Sequence, residues 1–130
     1  RGGNFSHSGK SLALVMKEAE SLNVSVVLDG QIPELGEADK ILGQALRECV
    51  NNEVKHANAE KVYLKIQDKG NFYQGIFTND GTLPDKEIQE AGGLKNLRNT
   101  VEKAGGRMEI ISQPRFVLII EVLKGEKNEV

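Results

Sequence analysis

The stretch Arg47-Glu48-Cys49-Val50-Asn51-Asn52-Glu53-Val54-Lys55-His56-Ala57 closes a long amphipathic pattern that opens near residue 37. Ala38, Ile41, Leu42, Ala45, Leu46, Cys49 and Val50 recur at three- and four-residue spacing, which predicts a helix over about 37–57. At ~100° per residue, Glu48, Asn52 and His56 each fall about 40° from the next. They form one polar column beside the apolar stripe, so the fold should partly shield them. A carboxylate, a carboxamide and an imidazole one turn apart are a poor solubility face. Glu and Asn oxygens suit Mg²⁺, which keeps several waters and takes few protein ligands plus phosphate oxygens. Lys55 sits beside them and can meet a phosphate as a point charge. On spacing alone, a capped and solvated helix edge has equal weight.

On either side of this helix the pattern changes period. Leu12, Leu14, Val15, Ala19 and Leu22 predict a helix over about 10–22, and Val24-Ser25-Val26-Val27-Leu28 predicts a strand ended by Asp29-Gly30. Gln31 to Gly36 reads as a loop. Val62 to Ile66 and Phe72 to Phe77 read as a hairpin turning on Asp68-Lys69-Gly70-Asn71. Thr78 to Gly92 reads as loop, and Leu94 to Ala104 as a third helix stopped by Gly105-Gly106. Met108 to Ile111 and Phe116 to Val122 form a second hairpin through Ser112-Gln113-Pro114-Arg115. Residues 1–8 and 124–130 are polar or glycine-rich and are expected to be loose ends. The predicted architecture is an α/β two-layer sandwich, a mixed and mostly antiparallel sheet with helices on one face.

Composition bounds the function. The 130 residues make one domain, 1–130, of ordinary soluble character, with 38% hydrophobic and 28% charged residues. Seventeen Lys and Arg against nineteen Asp and Glu argue against binding nucleic acid through bulk charge. No apolar run approaches the ~20 residues of a membrane helix, so direct membrane contact is not expected. The single cysteine, Cys49, excludes an internal disulfide, and two His with one Cys argue against structural zinc. The chain opens with Arg1-Gly2-Gly3 rather than Met, as a piece of a longer protein would. Gly9-Lys10-Ser11 suggests a phosphate loop, but that motif needs glycine where Asn4 stands, and no strand can precede it.

Two further segments carry chemistry. In Phe77-Thr78-Asn79-Asp80-Gly81 a strand ends in small polar residues and a glycine. An Asn there offers an acceptor and donors that match a base edge, although a plain turn explains the pentapeptide by itself. In Gly92-Gly93-Leu94-Lys95-Asn96-Leu97-Arg98 paired glycines precede a helix, whose first N–H groups and dipole make an anion site. A flexible helix entry explains that segment equally well.

In this order and spacing, the three segments resemble the ATP-binding domain of sensor histidine kinases. That domain has the Bergerat fold shared with gyrase, Hsp90-type chaperones and mismatch-repair ATPases. The resemblance runs from about Ala38 to Leu123. Arg47 to Ala57 is similar to the asparagine box, Asn79 to Gly81 to the first glycine box, and Gly92 to Arg107 to the second with its helix. The short lid, about Thr82 to Ala91, is most like the branch containing nitrate and cell-envelope-stress sensors.

The resemblance implies roles. Asn52 would coordinate Mg²⁺ bridging the ATP phosphates, and Glu48, the catalytic candidate, would hold a metal-bound or attacking water. Lys55 and His56 would approach the phosphates or ribose. Asn79 would take the adenine amino group, Gly81 would let the base sit close, and Gly92, Gly93 and Leu94 would present the helix start to the phosphates. Three positions depart from the family pattern: Asn79 replaces the usual Asp, Leu83 replaces a glycine of the first box, and Ala91 replaces one of the second.

No histidine stands where a phosphoacceptor would. His7 is followed by Ser8 and Gly9, and His56 belongs to the asparagine box. The expected function is therefore a Mg-ATP-binding kinase domain acting on a histidine of a separate, upstream helical dimerisation domain, with a response regulator as next acceptor, in the cytoplasm. Two alternatives stay open: a degenerate, non-enzymatic nucleotide-binding module, and a stand-alone protein-serine kinase of the anti-sigma-factor type.

Overall fold

The computed structural model describes residues 11–33, 36–52, 61–79, 93–111 and 116–124. In chain order the elements are α1 (Leu12–Ser21), β1 (Ser25–Asp29), α2 (Glu37–Asn52), β2 (Lys61–Asp68), β3 (Phe72–Asn79), α3 (Gly93–Lys103), β4 (Arg107–Ile111) and β5 (Val117–Leu123). The strands form one sheet in the order β1-β2-β3-β5-β4. β1 pairs parallel to β2, and the other three pairings are antiparallel. The α/β sandwich expected from the sequence is the observed fold. The predicted helix over 37–57 is seen as far as Asn52, and positions 53–57 lie outside the described residues.

Alternation along the strands divides the sheet into two faces. Val62, Leu64 and Ile66 on β2, Phe77 on β3, Leu118, Ile120 and Val122 on β5, and Met108 on β4 are all buried. The opposite face is half-covered, and Val27 and Tyr63 there are exposed. Leu42 and Leu46 of α2, Leu12 and Val15 of α1, and Leu97 and Val101 of α3 complete the core. Gly75 sets how closely α2 approaches. A Cβ there would lie 2.7 Å from Leu42 Cδ2, so the strand gives up a side chain to admit the helix.

Helix ends are closed by local devices. Ser11 Oγ accepts from Leu14 N–H at 3.2 Å, an N-cap for α1. The same end receives a second acceptor from α2, since Leu12 N–H donates to Asp39 Oδ1 at 3.0 Å. Asp39 is only 3% exposed, and it ties the starts of the two helices together. α1 and α3 terminate alike. Val24 N–H donates to Ala19 O at 3.0 Å with Asn23 at φ 65°, and Gly106 N–H donates to Val101 O at 2.9 Å with Gly105 at φ 81°. Both are left-handed caps in which the second bond satisfies a carbonyl three residues inside the helix.

The far edge of the hairpin corrects one expectation. Lys124 does not belong to a loose tail. Its N–H donates to Asn71 O at 3.0 Å, and its Nζ donates to Asp68 Oδ2 at 2.8 Å and lies 5.0 Å from the Tyr73 ring centroid. The hydrogen bond to Lys124 and one from Gly70 N–H hold the Asp68 carboxyl below its ordinary range, and the same pair raises Lys124. Residues 1–8 and 125–130 lie outside the described residues.

Candidate functional site

α2 is anchored at its middle by Leu42 over Gly75 and by the fully buried Leu46. Its last turn then runs along the side of the sheet where α3 begins, and the two helices pack together. Glu48 is half-buried on this turn, on the border of the apolar stripe where the helical spacing put it. Its carboxylate lies directly over the α-carbon of Gly93, the first residue of α3. A side chain at position 93 would overlap both carboxylate oxygens.

That contact places an anion at the positive end of a helix. α3 has no acidic residue of its own in its first turn. Its leading N–H groups have no intrahelical acceptors, and they carry the partial positive charge of the helix dipole. Leu94 is buried and Leu97 fully so, which fixes the helix start against the core. Farther along α3, Arg98 Nη1 donates to Met108 O at 3.0 Å and pairs with Glu102 at 3.5 Å, fastening the helix to β4. The helix start is thus held against the core, and the missing side chain at its leading residue leaves the room that the Glu48 carboxylate takes.

Over 97 aligned residues, covering 72% of this chain, it is 34% identical to the signal transduction histidine-protein kinase/phosphatase UhpB of Salmonella typhimurium. The chain belongs with the catalytic domains of sensor histidine kinases. Its fold is that of the blue-light activated histidine kinase of Erythrobacter litoralis EL346, with TM-score 0.69 at 16% identity over 87% of this chain. The histidine kinase AdeS of Acinetobacter baumannii matches with TM-score 0.66 at 11% identity over 89%. No family model matches the chain. It spans 19% of the length of UhpB, 41% of that of the blue-light kinase chain and 66% of that of the AdeS chain.

Within this histidine kinase domain, the structure brings together two segments distant in sequence. Glu48 of the asparagine-box segment and Gly93 of the second glycine segment are in contact. Asn52 is the last residue of α2, one turn beyond Glu48. Asn79 is half-buried at the end of β3, on the helix-facing side two residues past the fully buried Phe77. Leu94 turns its side chain into the core, so any part it takes in holding phosphate falls to its backbone N–H. Lys55, His56, Gly81 and Gly92, with the departures Leu83 and Ala91, lie outside the described residues.

The Asp39 link between α1 and α2 escapes the sequence reading, because an acidic residue in the first turn of α2 reads as an ordinary solvated dipole partner. No feature of the sequence alone shows that it is buried.

The Glu48 carboxylate could serve as one oxygen ligand of a magnesium ion that arrives with phosphate. Among the described residues no group of three or more His, Cys, Asp or Glu forms a protein cage. Mg²⁺ does not need one, since one or two protein oxygens complete a shell otherwise made of waters and phosphates. The Glu48 carboxylate at the start of α3 offers that kind of oxygen. Among the described residues no helix is long and apolar enough to cross a membrane.

Proposed function

We propose that this domain binds Mg-ATP and delivers the γ-phosphoryl group to a histidine on a separate helical domain of its parent protein. The observation that carries the reading is the Glu48 carboxylate over Gly93 at the start of α3. A helix start and a carboxylate oxygen in contact match a phosphate chain with its cation. The start of α3 would hold phosphate oxygens through its first N–H groups. Asn52, one turn past Glu48, would supply a second oxygen to the cation, and Lys55 would add a point charge. Asn79, at the end of β3, would accept from the adenine amino group and donate to the neighbouring ring nitrogen.

Bound magnesium would neutralise phosphate charge as it builds during transfer. The chain's own part is positioning and electrostatic stabilisation. In the transfer, the bond from the γ-phosphorus to the bridging oxygen breaks and a bond to the acceptor imidazole nitrogen forms. ADP leaves, and the imidazole proton passes to a group beside the acceptor histidine rather than to this domain. A response regulator would receive the phosphoryl group next, and the reaction would lie on the cytoplasmic side.

The test is transfer in trans. With γ-labelled ATP the chain alone should remain unlabelled, since it has no acceptor. Adding a dimerisation helix pair bearing its histidine should give acid-labile, base-stable label on that helix. Stoichiometric acid-labile label on His7 of the chain would contradict the assignment of the acceptor to another domain.

A further inference from the structure

The helices share a core with one face of the sheet, and the residues between the core positions of each strand form the other face. The strand registers arrange that outer face in rows. One row runs Val27, Tyr63, Thr78, Val117, Ile111, and the next runs Asp29, Lys65, Ile76, Ile119, Glu109. The first row is apolar but for two hydroxyls, and its neighbours Val27 and Tyr63 are 43% and 38% exposed. In the second row two half-buried isoleucines stand between an exposed cation, Lys65, and an exposed anion, Glu109. Large apolar side chains exposed side by side, with charges at their rim, mark an interaction surface.

The placement of the charges selects the occupant. Of the four strands β2-β3-β5-β4, β3 and β5 are the central pair. A two-fold axis parallel to the strands, over the outer face between β3 and β5, sets β2 over β4 and β3 over β5 of a second copy, row on row. Lys65 then faces Glu109 of the partner subunit, and Ile76 faces Ile119 of the partner subunit. Tyr63 faces Ile111 of the partner subunit, and at the far end Phe72, which pairs with Leu123 in its own sheet, faces Leu123 of the partner subunit. An axis across the strands instead sets Lys65 over Lys65 and Glu109 over Glu109. The face is thus complementary to itself in one orientation, the condition for a closed isologous dimer. We propose that two copies of this chain associate through this face, packed sheet on sheet with their strands aligned. Glu48 and Gly93 belong to the helix layer on the other side, so association leaves them uncovered and the proposal stands apart from the nucleotide reading.

The experiment is sedimentation equilibrium of the intact chain from micromolar to millimolar concentration. The weight-average mass should rise from 14.2 kDa toward twice that value. Lys65→Glu and Glu109→Lys should each weaken association by about tenfold or more, because each turns both ion pairs of the dimer into like-charge pairs. Both positions are exposed, and thermal melts matching the parent establish that the fold is kept. Mixing the two variants in equal amounts should restore association, since the mixed dimer has opposite charges at both pairs. A mass that stays at 14.2 kDa throughout overturns the proposal and gives the face to a different partner. Association that both variants keep, or that mixing them does not restore, places the contact on another surface and overturns it as well.

Discussion

Replacing Gly93 by Ala tests the contact on which the site is built. The new methyl group would overlap the Glu48 carboxylate, so one of the two must move. Pushing a Glu48 torsion about 30° off its rotamer costs about 0.5–1.5 kcal/mol. Losing its interaction with the helix start costs a further 0.3–1 kcal/mol or so. Against this, Ala in place of Gly favours the helix by up to about 1 kcal/mol. Gly93→Ala should therefore be neutral to destabilising by about 1.5 kcal/mol when Glu48 is present. In a Glu48→Ala background the clash is gone, and the same substitution should stabilise by up to about 1 kcal/mol. The double-mutant cycle should show a coupling of about 1–2.5 kcal/mol. Urea denaturation of the four proteins measures it through midpoints at constant slope. A coupling below about 0.5 kcal/mol, the limit of additivity for independent sites, would refute the contact.

Three other expectations follow from the fold. Asp39→Ala removes the buried acceptor of Leu12 N–H and should cost about 1–3 kcal/mol, with Asp39→Asn costing less, as read by denaturant midpoints. Gly106→Ala would drive a Cβ into the carbonyl oxygen of Glu121, a backbone atom of β5, and should destabilise by about 1–3 kcal/mol in the same assay. The Asp68–Lys124 pair gives a pH dependence. The folded-state pKa of Asp68 is lowered, so its contribution is present above its ordinary value of 3.8 and is lost as pH falls through the lowered one. That of Lys124 is raised from 10.5, so its contribution is present below that value and is lost as pH rises through the raised one. Thermal melts across acid pH should show Asp68→Asn with a shallower acid loss than the parent, and high salt should shrink the difference.

Much of this structure is legible in the sequence because it is local. The β2 alternation Val62, Leu64, Ile66 and the α2 stripe ending at Cys49 and Val50 each depend on a period within one element, and their burial follows it. Gly105 and Gly106 announce the end of α3 because the cap needs a positive φ at the first of them. What the sequence does not carry is contact between elements. Lys124 reads as tail until the hairpin turn at Asp68 and Asn71 is seen beside it. The site divides in the same way. Helical spacing singles out Glu48 and a glycine pair singles out Gly93, yet their meeting depends on how α2 crosses β3 at Gly75 and lies against α3.

The central claim is that this domain binds an adenine nucleotide with its cation between α2 and the start of α3. Equilibrium titration of ATP into the purified chain, with and without Mg²⁺, tests it most directly. Saturable one-to-one binding, strengthened by Mg²⁺ and with that strengthening lost in Asn52→Ala, is the predicted result. ATP binding that fails to saturate, or an equal Mg²⁺ effect in the parent and in Asn52→Ala, would contradict it.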